Sequence, residues 1–191
     1  EAEDRVRCRH DLPLLKALLS APRFASLPLT FYQDCLDPER EMQFSALTVL
    51  LDTGEALLVF RGTDNTLVGW KEDFNLSFLE VVPAQSAALN YTARLAAARP
   101  GPLLLAGHSK GGNLAVFSAS LSPPELRDRI GAVYSYDSPG FTQRVLSATG
   151  YQELLPRIRS YVPQSSVVGM LLEHEEPYTV VKSRHLWHFP A

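Results

Sequence analysis

Apolar and polar positions along this chain fall into short blocks whose period switches between helical and strand-like spacing. Leucines at helical spacing in DLPLLKALLSA (Asp11–Ala21) predict a helix, with Asp11 as its N-cap and Pro13 tolerated in the first turn. LPLTFYQDCL reads as a strand. QFSALTVLLDTGEALLVFRG reads as two strands around a DTGE turn, so Phe44–Leu51 and Ala56–Phe60 are expected to form a hairpin. Asn65–Val82 is irregular, and its Leu67, Val68, Trp70 and Phe78 fit a cover over a site as well as they fit a core. PAQSAALNYTARLAAA, led by Pro83 and spacing Ala88, Tyr91 and Leu95 helically, predicts a helix, and PLLLA a short buried strand. The next helix, through Asn113–Leu121, carries Gly111, Ala115 and Ala119 every four residues, a small stripe that lets it lie close to a sheet. GAVYSY, RIRSYV and YTVVKS predict three more strands, the first two separated by a helical or irregular region around Gln143–Leu155.

Strands alternating with helices after residue 83 argue for an α/β fold: a mostly parallel central sheet with helices on both faces and the early hairpin as its antiparallel edge. At 191 residues this is most simply one domain spanning 1–191. An apolar content of 46% with 20% charged residues excludes a disordered chain. The net charge of −3 gives no electrostatic reason to expect nucleic acid as a partner, and no apolar run reaches the roughly 18 residues of a membrane span. Cys8 and Cys35 lack metal-ligand spacing and read as free thiols. The chain opens EAEDRVRCRHD, with neither Met nor the apolar core of an export signal. A cytoplasmic location is therefore expected, and an N-terminal extension is left open. Oligomeric state is not fixed by these features.

Candidate chemistry changes the picture at GHSKGG (Gly107–Gly112). The pattern G-x-S-x-G is common by chance, but here a strand precedes it and a helix follows. A strained strand–turn–helix of this kind lifts a serine hydroxyl above the carboxyl edge of a sheet. The helix N-terminus behind it favours developing negative charge. Ser109 is thus a candidate nucleophile and the backbone N–H of Lys110 an oxyanion donor, the Lys110 side chain being read as a surface group. The alternative is a glycine-rich turn with an exposed serine, and the absence of a G-K-[ST] ending argues against phosphate binding there. His108 is read as a packing residue or as a support behind the site, and not as the base, since strand neighbours point to opposite faces.

FRGTD (Phe60–Asp64), GWKEDF and GHSKGG, in this order and spacing, resemble the class 3 lipase branch of the α/β-hydrolases over residues 40–170. FRGTDNTLVGWKEDF, GHSKGGNLA, YDSPGF and VPQSSVVGML are similar more closely to a group of bacterial lipase-like proteins. The resemblance implies an α/β-hydrolase fold, and a second oxyanion donor at Thr63, from its backbone N–H and hydroxyl. Arg61 and Asp73 are read as an ion pair anchoring that loop.

A serine hydroxyl needs a base and the base an orienting carboxylate, which this fold places in the order Ser, acid, His. Asp137 closes the strand GAVYSY and is the candidate acid, although it could equally cap its own turn. The resemblance implies an acid one strand later, where this chain has SSVV with Ser166 in that seat. Ser165 or Ser166 is then an alternative orienting group. Of the downstream histidines, His174 reads as solvated in LEHEEP. His185 follows the last strand and is the candidate base ahead of His188. HEE has no further ligands at metal spacing, and no metal or cofactor is implied. These residues predict a serine hydrolase cleaving small or lipid-like carboxylic esters through an acyl-enzyme at Ser109. A catalytically silent fold serving as a binding module is the alternative, favoured by the SSVV substitution and the short tail.

Overall fold

A computed structural model of the chain describes residues 11–182. Helices α1 (Asp11–Ser20) and α2 (Pro22–Ala25) lead into strand β1 (Leu29–Asp37), which pairs antiparallel with β2 (Met42–Leu50). A bulge breaks the β1 register between Thr30 and Gln33, where Phe31 takes a positive φ of 54°. β2 pairs antiparallel with β3 (Ala56–Phe60), forming the expected hairpin. From β3 onward every neighbour is parallel: β4 (Leu103–His108), β5 (Ile130–Tyr136), β6 (Ile158–Pro163) and β7 (Tyr178–Val181) follow in chain order.

Parallel neighbours require crossovers, and the helices supply them. The segment between β3 and β4 holds α3 (Leu67–Asn75) and α4 (Pro83–Ala98), and α5 (Lys110–Leu121) joins β4 towards β5, followed by the short α6 (Pro124–Arg127). Two further short helices, α7 (Gln143–Leu146) and α8 (Thr149–Leu154), precede β6. The helix α3 was not legible as a period. Thr66 caps its start, the side-chain hydroxyl accepting a hydrogen bond from the Gly69 N–H at 3.1 Å.

The core lies between the sheet and α4, α5 and α8. Leu58, Leu103, Leu105 and Val133 alternate onto one sheet face at full burial, while Leu57, Leu104 and Ala106 between them are half-buried. Helix α5 is buried along its length from Lys110 to Ser120, as the small-residue stripe implied. A Cβ on Gly111 would stand 2.2 Å from the carbonyl oxygen of Phe60, so only glycine lets α5 approach β3 this closely. The aromatic rings of Phe44, Phe60 and Tyr91 pack edge-on or tilted beneath β2 and β3, and Tyr91 shares a 2.8 Å hydrogen bond with Thr48. Cys35 is a free thiol, and Cys8 lies outside the described residues.

Candidate active site at the carboxyl edge of the sheet

The turn after β4 sets Ser109 at φ 55° and ψ −130°, a backbone state that costs a non-glycine residue on the order of 1–3 kcal/mol. Close packing holds it there. A Cβ on Gly107 would fall 2.1 Å from the Gly111 backbone, and one on Gly62 would fall 2.8 Å from the His108 carbonyl and 3.5 Å from the Ser109 Cβ. The loop after β3, with FRGT, therefore lies directly against the serine. His108, the last residue of β4, is exposed, which rules out the packing reading.

His108 pairs with Tyr136, so Ser109 and Asp137 leave neighbouring strands at the same level. The Ser109 N–H donates to the Tyr136 carbonyl at 2.9 Å, and the Asp137 N–H to that of Tyr161 at 2.8 Å. Asp137 also takes a positive φ, 49°. Its Oδ1 accepts hydrogen bonds from the Ser166 hydroxyl and, at 3.1 Å, from the Gly169 N–H. The two groups that the sequence offered as alternative orienters, Asp137 and Ser166, are thus bonded to each other. Asp137 Oδ2 receives no hydrogen bond among the described residues, which leaves one carboxylate oxygen available. The loop after Asp137 is fastened to α5 by Asn113, whose amide donates to the carbonyls of Pro139 and Gly140 at 3.2 and 2.9 Å.

Thr63 is buried, and its hydroxyl donates to Asp73 Oδ1 at 2.5 Å. Asp73 anchors this loop through that bond, and with the hydroxyl proton committed, Thr63 has its backbone N–H left to offer an oxyanion. Partial burial opposes ionisation of the neighbouring Asp64. Hydrogen bonds from Thr66 and the positive charges of Arg61 and Lys110 outweigh it and hold the carboxyl below its ordinary range.

Lys110 overturns its surface reading. The side chain is 1% exposed, and its ammonium donates to the Gln43 carbonyl and Oε1 at 2.7 Å each and to Glu72 Oε2 at 2.8 Å. Glu72, fully buried on α3, also accepts from the N–H groups of Gln43 at 3.0 Å and Ala84 at 2.8 Å. A cation in the first turn opposes the α5 dipole, and the paired carboxylate offsets it. Sequence inspection missed Glu72. No local pattern marks it, because its partners come from β2, α4 and the serine turn.

His174 is also less solvated than expected. Its Nδ1 lies 3.0 Å from Glu176 Oε1, and Glu176 is 5% exposed and accepts the Tyr151 hydroxyl at 2.5 Å. Burial works against the Glu176 charge, but the hydrogen bonds from His174 and Tyr151 outweigh it and lower the pKa. The same burial, with the adjacent carboxylate, pushes the Tyr151 phenol far up, so it stays a neutral donor. His185 and His188 lie outside the described residues.

Between these elements is a cavity of about 110 Å3 with Ser109 and Lys110 on its floor beside Pro139. One wall is α3 and its end, through Asp73, Leu76 and Ser77; the other is the loop following β6, through Val168, Leu171 and Leu172. Of the candidates for a cover or core, Leu67, Trp70 and Phe78 are exposed, Trp70 to 66%, and so are not core, while Val68 is half-buried.

A mixed sheet with a strained serine at the carboxyl end of a central parallel strand defines an α/β-hydrolase fold of the lipase type. Solved structures agree. A Rhizomucor miehei lipase propeptide complex superposes with a TM-score of 0.61 at 16% identity, over 91% of this chain and 63% of that one. M37 lipase gives 0.58 at 14% identity, over 86% and 64%. A triacylglycerol lipase from Penicillium expansum gives 0.50 at 12% identity, over 81% and 70%. The chain thus spans less than two thirds of the length of the first two lipases, and at identities this low the superpositions show a shared fold alone. No curated protein sequence matches the chain. The Mbeg1-like family model matches residues 18–187, and the chain belongs to that family.

Proposed function

We propose that this protein is a serine hydrolase that cleaves carboxylic esters through an acyl-enzyme at Ser109. The observation that carries the proposal is Ser109 held at φ 55° on the floor of a cavity whose walls include Leu76, Val168 and Leu172. Strain of this kind persists where the surrounding structure over-determines it, and it concentrates at reacting groups.

In the proposed reaction the Ser109 oxygen bonds to the acyl carbon while its proton passes to a histidine, His185 by its place after β7. The backbone N–H groups of Thr63 and Lys110 hold the oxyanion. Collapse expels the alcohol, which takes the proton from the histidine. Water then adds to the acyl carbon, releases the acid and restores the Ser109 hydroxyl. Asp137 orients the histidine through Oδ2, with Oδ1 fixed by Ser166 and Gly169. The substrate is a small ester or lipid-like molecule, in keeping with the apolar cavity wall and with lipases among the similar folds.

Labelling with a fluorophosphonate tests this. Wild type is expected to take label at Ser109, Ser109→Ala none, and Asp137→Asn at a rate at least about 100-fold lower. A wild type that stays unlabelled beside a reactive control hydrolase would return the fold to the binding-module reading. Equal rates for Asp137→Asn and wild type would remove Asp137 from the reaction.

A further inference from the structure

Helix α3 sits where a mobile cover would be, but its polarity is inverted for that role. A helix that closes over an apolar site turns its apolar stripe inward. Here Leu67, Trp70 and Phe74 point outward into solvent, whereas Glu72 and Asp73 point inward. Glu72 is the centre of the arrangement. Its carboxylate is held by the Lys110 ammonium from the serine turn, by the Gln43 N–H from β2 and by the Ala84 N–H from α4. One residue on, Asp73 holds the Thr63 hydroxyl. To lift α3, all of these bonds would have to break together, and an acid and a base without exposed surface would be separated inside the protein.

We propose that α3 is a fixed wall, locked by Glu72 and Lys110, and that this lock makes the site select short acyl groups. The inference rests on the hydrolase reading above and names its substrate class. The cavity of about 110 Å3 is small against the roughly 300 Å3 where pockets for drug-sized ligands begin. About a third of that volume leaves room for a short acyl group and not for a long chain. Leu76, just past the C-terminal end of α3, lines the cavity, and Glu72 and Lys110 keep that end in place. Glu72 and Lys110 are positioning residues: they act on the acyl group only through α3.

The test measures acylation of Ser109 by p-nitrophenyl esters from acetyl to dodecanoyl, and by matching alkylphosphonates so that turnover is not required. In the ester reaction the Ser109 oxygen bonds to the acyl carbon and p-nitrophenolate leaves. The expected optimum is acetyl or butyryl, with a fall of at least about tenfold by octanoyl, the scale on which a tight apolar pocket resolves chain length. Leu76→Ala, which leaves the lock intact, is expected to raise the octanoyl-to-butyryl ratio about tenfold. The Gln43 and Ala84 amides, both bonded to Glu72, are expected to keep their hydrogen-exchange protection after Ser109 has taken an octylphosphonate. A wild-type preference for octanoyl, an unchanged ratio in Leu76→Ala, or loss of that protection overturns the fixed wall and leaves the hydrolase reading standing. Failure of every ester and phosphonate to modify Ser109 overturns the hydrolase reading and this inference with it.

Discussion

The two walls of the cavity are both fastened by carboxylates, and the carboxylates are used differently. Glu72 behind α3 has no exposed surface, and both its oxygens are consumed, by a lysine and two backbone N–H groups. Asp137, which fastens the opposite loop, is half-buried. It spends one oxygen on Ser166 and Gly169 and keeps the other unengaged among the described residues. A saturated, buried carboxylate fixes backbone and can do little else. A carboxylate with one oxygen committed and one open is held in place and can still accept a proton-bearing partner. The contrast separates the wall that shapes the site from the wall that can take part in its chemistry.

The largest effect expected from breaking this contrast is at Lys110. Lys110→Met strands the Glu72 charge in the interior and is expected to cost about 3–5 kcal/mol, read as a lower urea midpoint at unchanged slope. Many buried ion pairs can be replaced by two apolar residues at little cost. This one is different, because Glu72→Leu also removes the acceptor for the Gln43 and Ala84 N–H groups, each worth about 1–3 kcal/mol when orphaned. The double variant Lys110→Met/Glu72→Leu is therefore expected to stay well below wild type. Recovery of wild-type stability would show that Glu72 does not organise the wall.

The opposite loop has a second fastening at its far end, in the buried Glu176 with Tyr151 and His174. Glu176→Gln is expected to cost about 1–3 kcal/mol at neutral pH by weakening the charged acceptor of two hydrogen bonds. The sign of its pH dependence follows from the lowered pKa. A carboxyl whose folded value is depressed contributes its full stability above its ordinary value of 4.5 and loses it as pH falls through the folded value. The stability gap between wild type and Glu176→Gln is thus expected to be constant from pH 7 to about pH 5 and to close on further acidification. Denaturant titrations at pH 7 and pH 3 check this, and a gap that widens in acid would reverse the assignment.

How legible these walls were in the sequence follows from where their partners come from. The serine turn could be read because Gly107, Ser109, Gly111 and the flanking strand and helix are contiguous, so local sterics carry the signal. The parallel sheet could be read from period and order. Lys110 could not be placed, because its partners Gln43 and Glu72 lie 67 and 38 residues away, and nothing local marks a lysine as buried. His174 was misplaced for the same reason: it is enclosed by Glu176 together with Tyr151 of α8, and those two lie 25 residues apart. Asp137 and Ser166 were read as alternatives because sequence distance hides that β5 and β6 end side by side.

The smallest expected effect gives the sharpest test of the Asp137 wall. The Ser166 hydroxyl donates to Asp137 and accepts from the Gly169 N–H at 2.8 Å, yet that N–H also reaches Asp137 directly. Ser166→Ala therefore leaves no backbone donor orphaned and is expected to cost only about 1 kcal/mol of stability. If Asp137 does no more than close this loop, the effect ends there, as slightly faster exchange of the Gly169 amide with Ser109 reactivity unchanged. If Asp137 orients a base, loss of the bond that fixes Oδ1 lets the carboxylate turn, and phosphonate labelling slows by roughly fivefold, the rate equivalent of about 1 kcal/mol. Measuring both quantities on one variant distinguishes a carboxylate that only fastens, as Glu72 does, from one that fastens and acts.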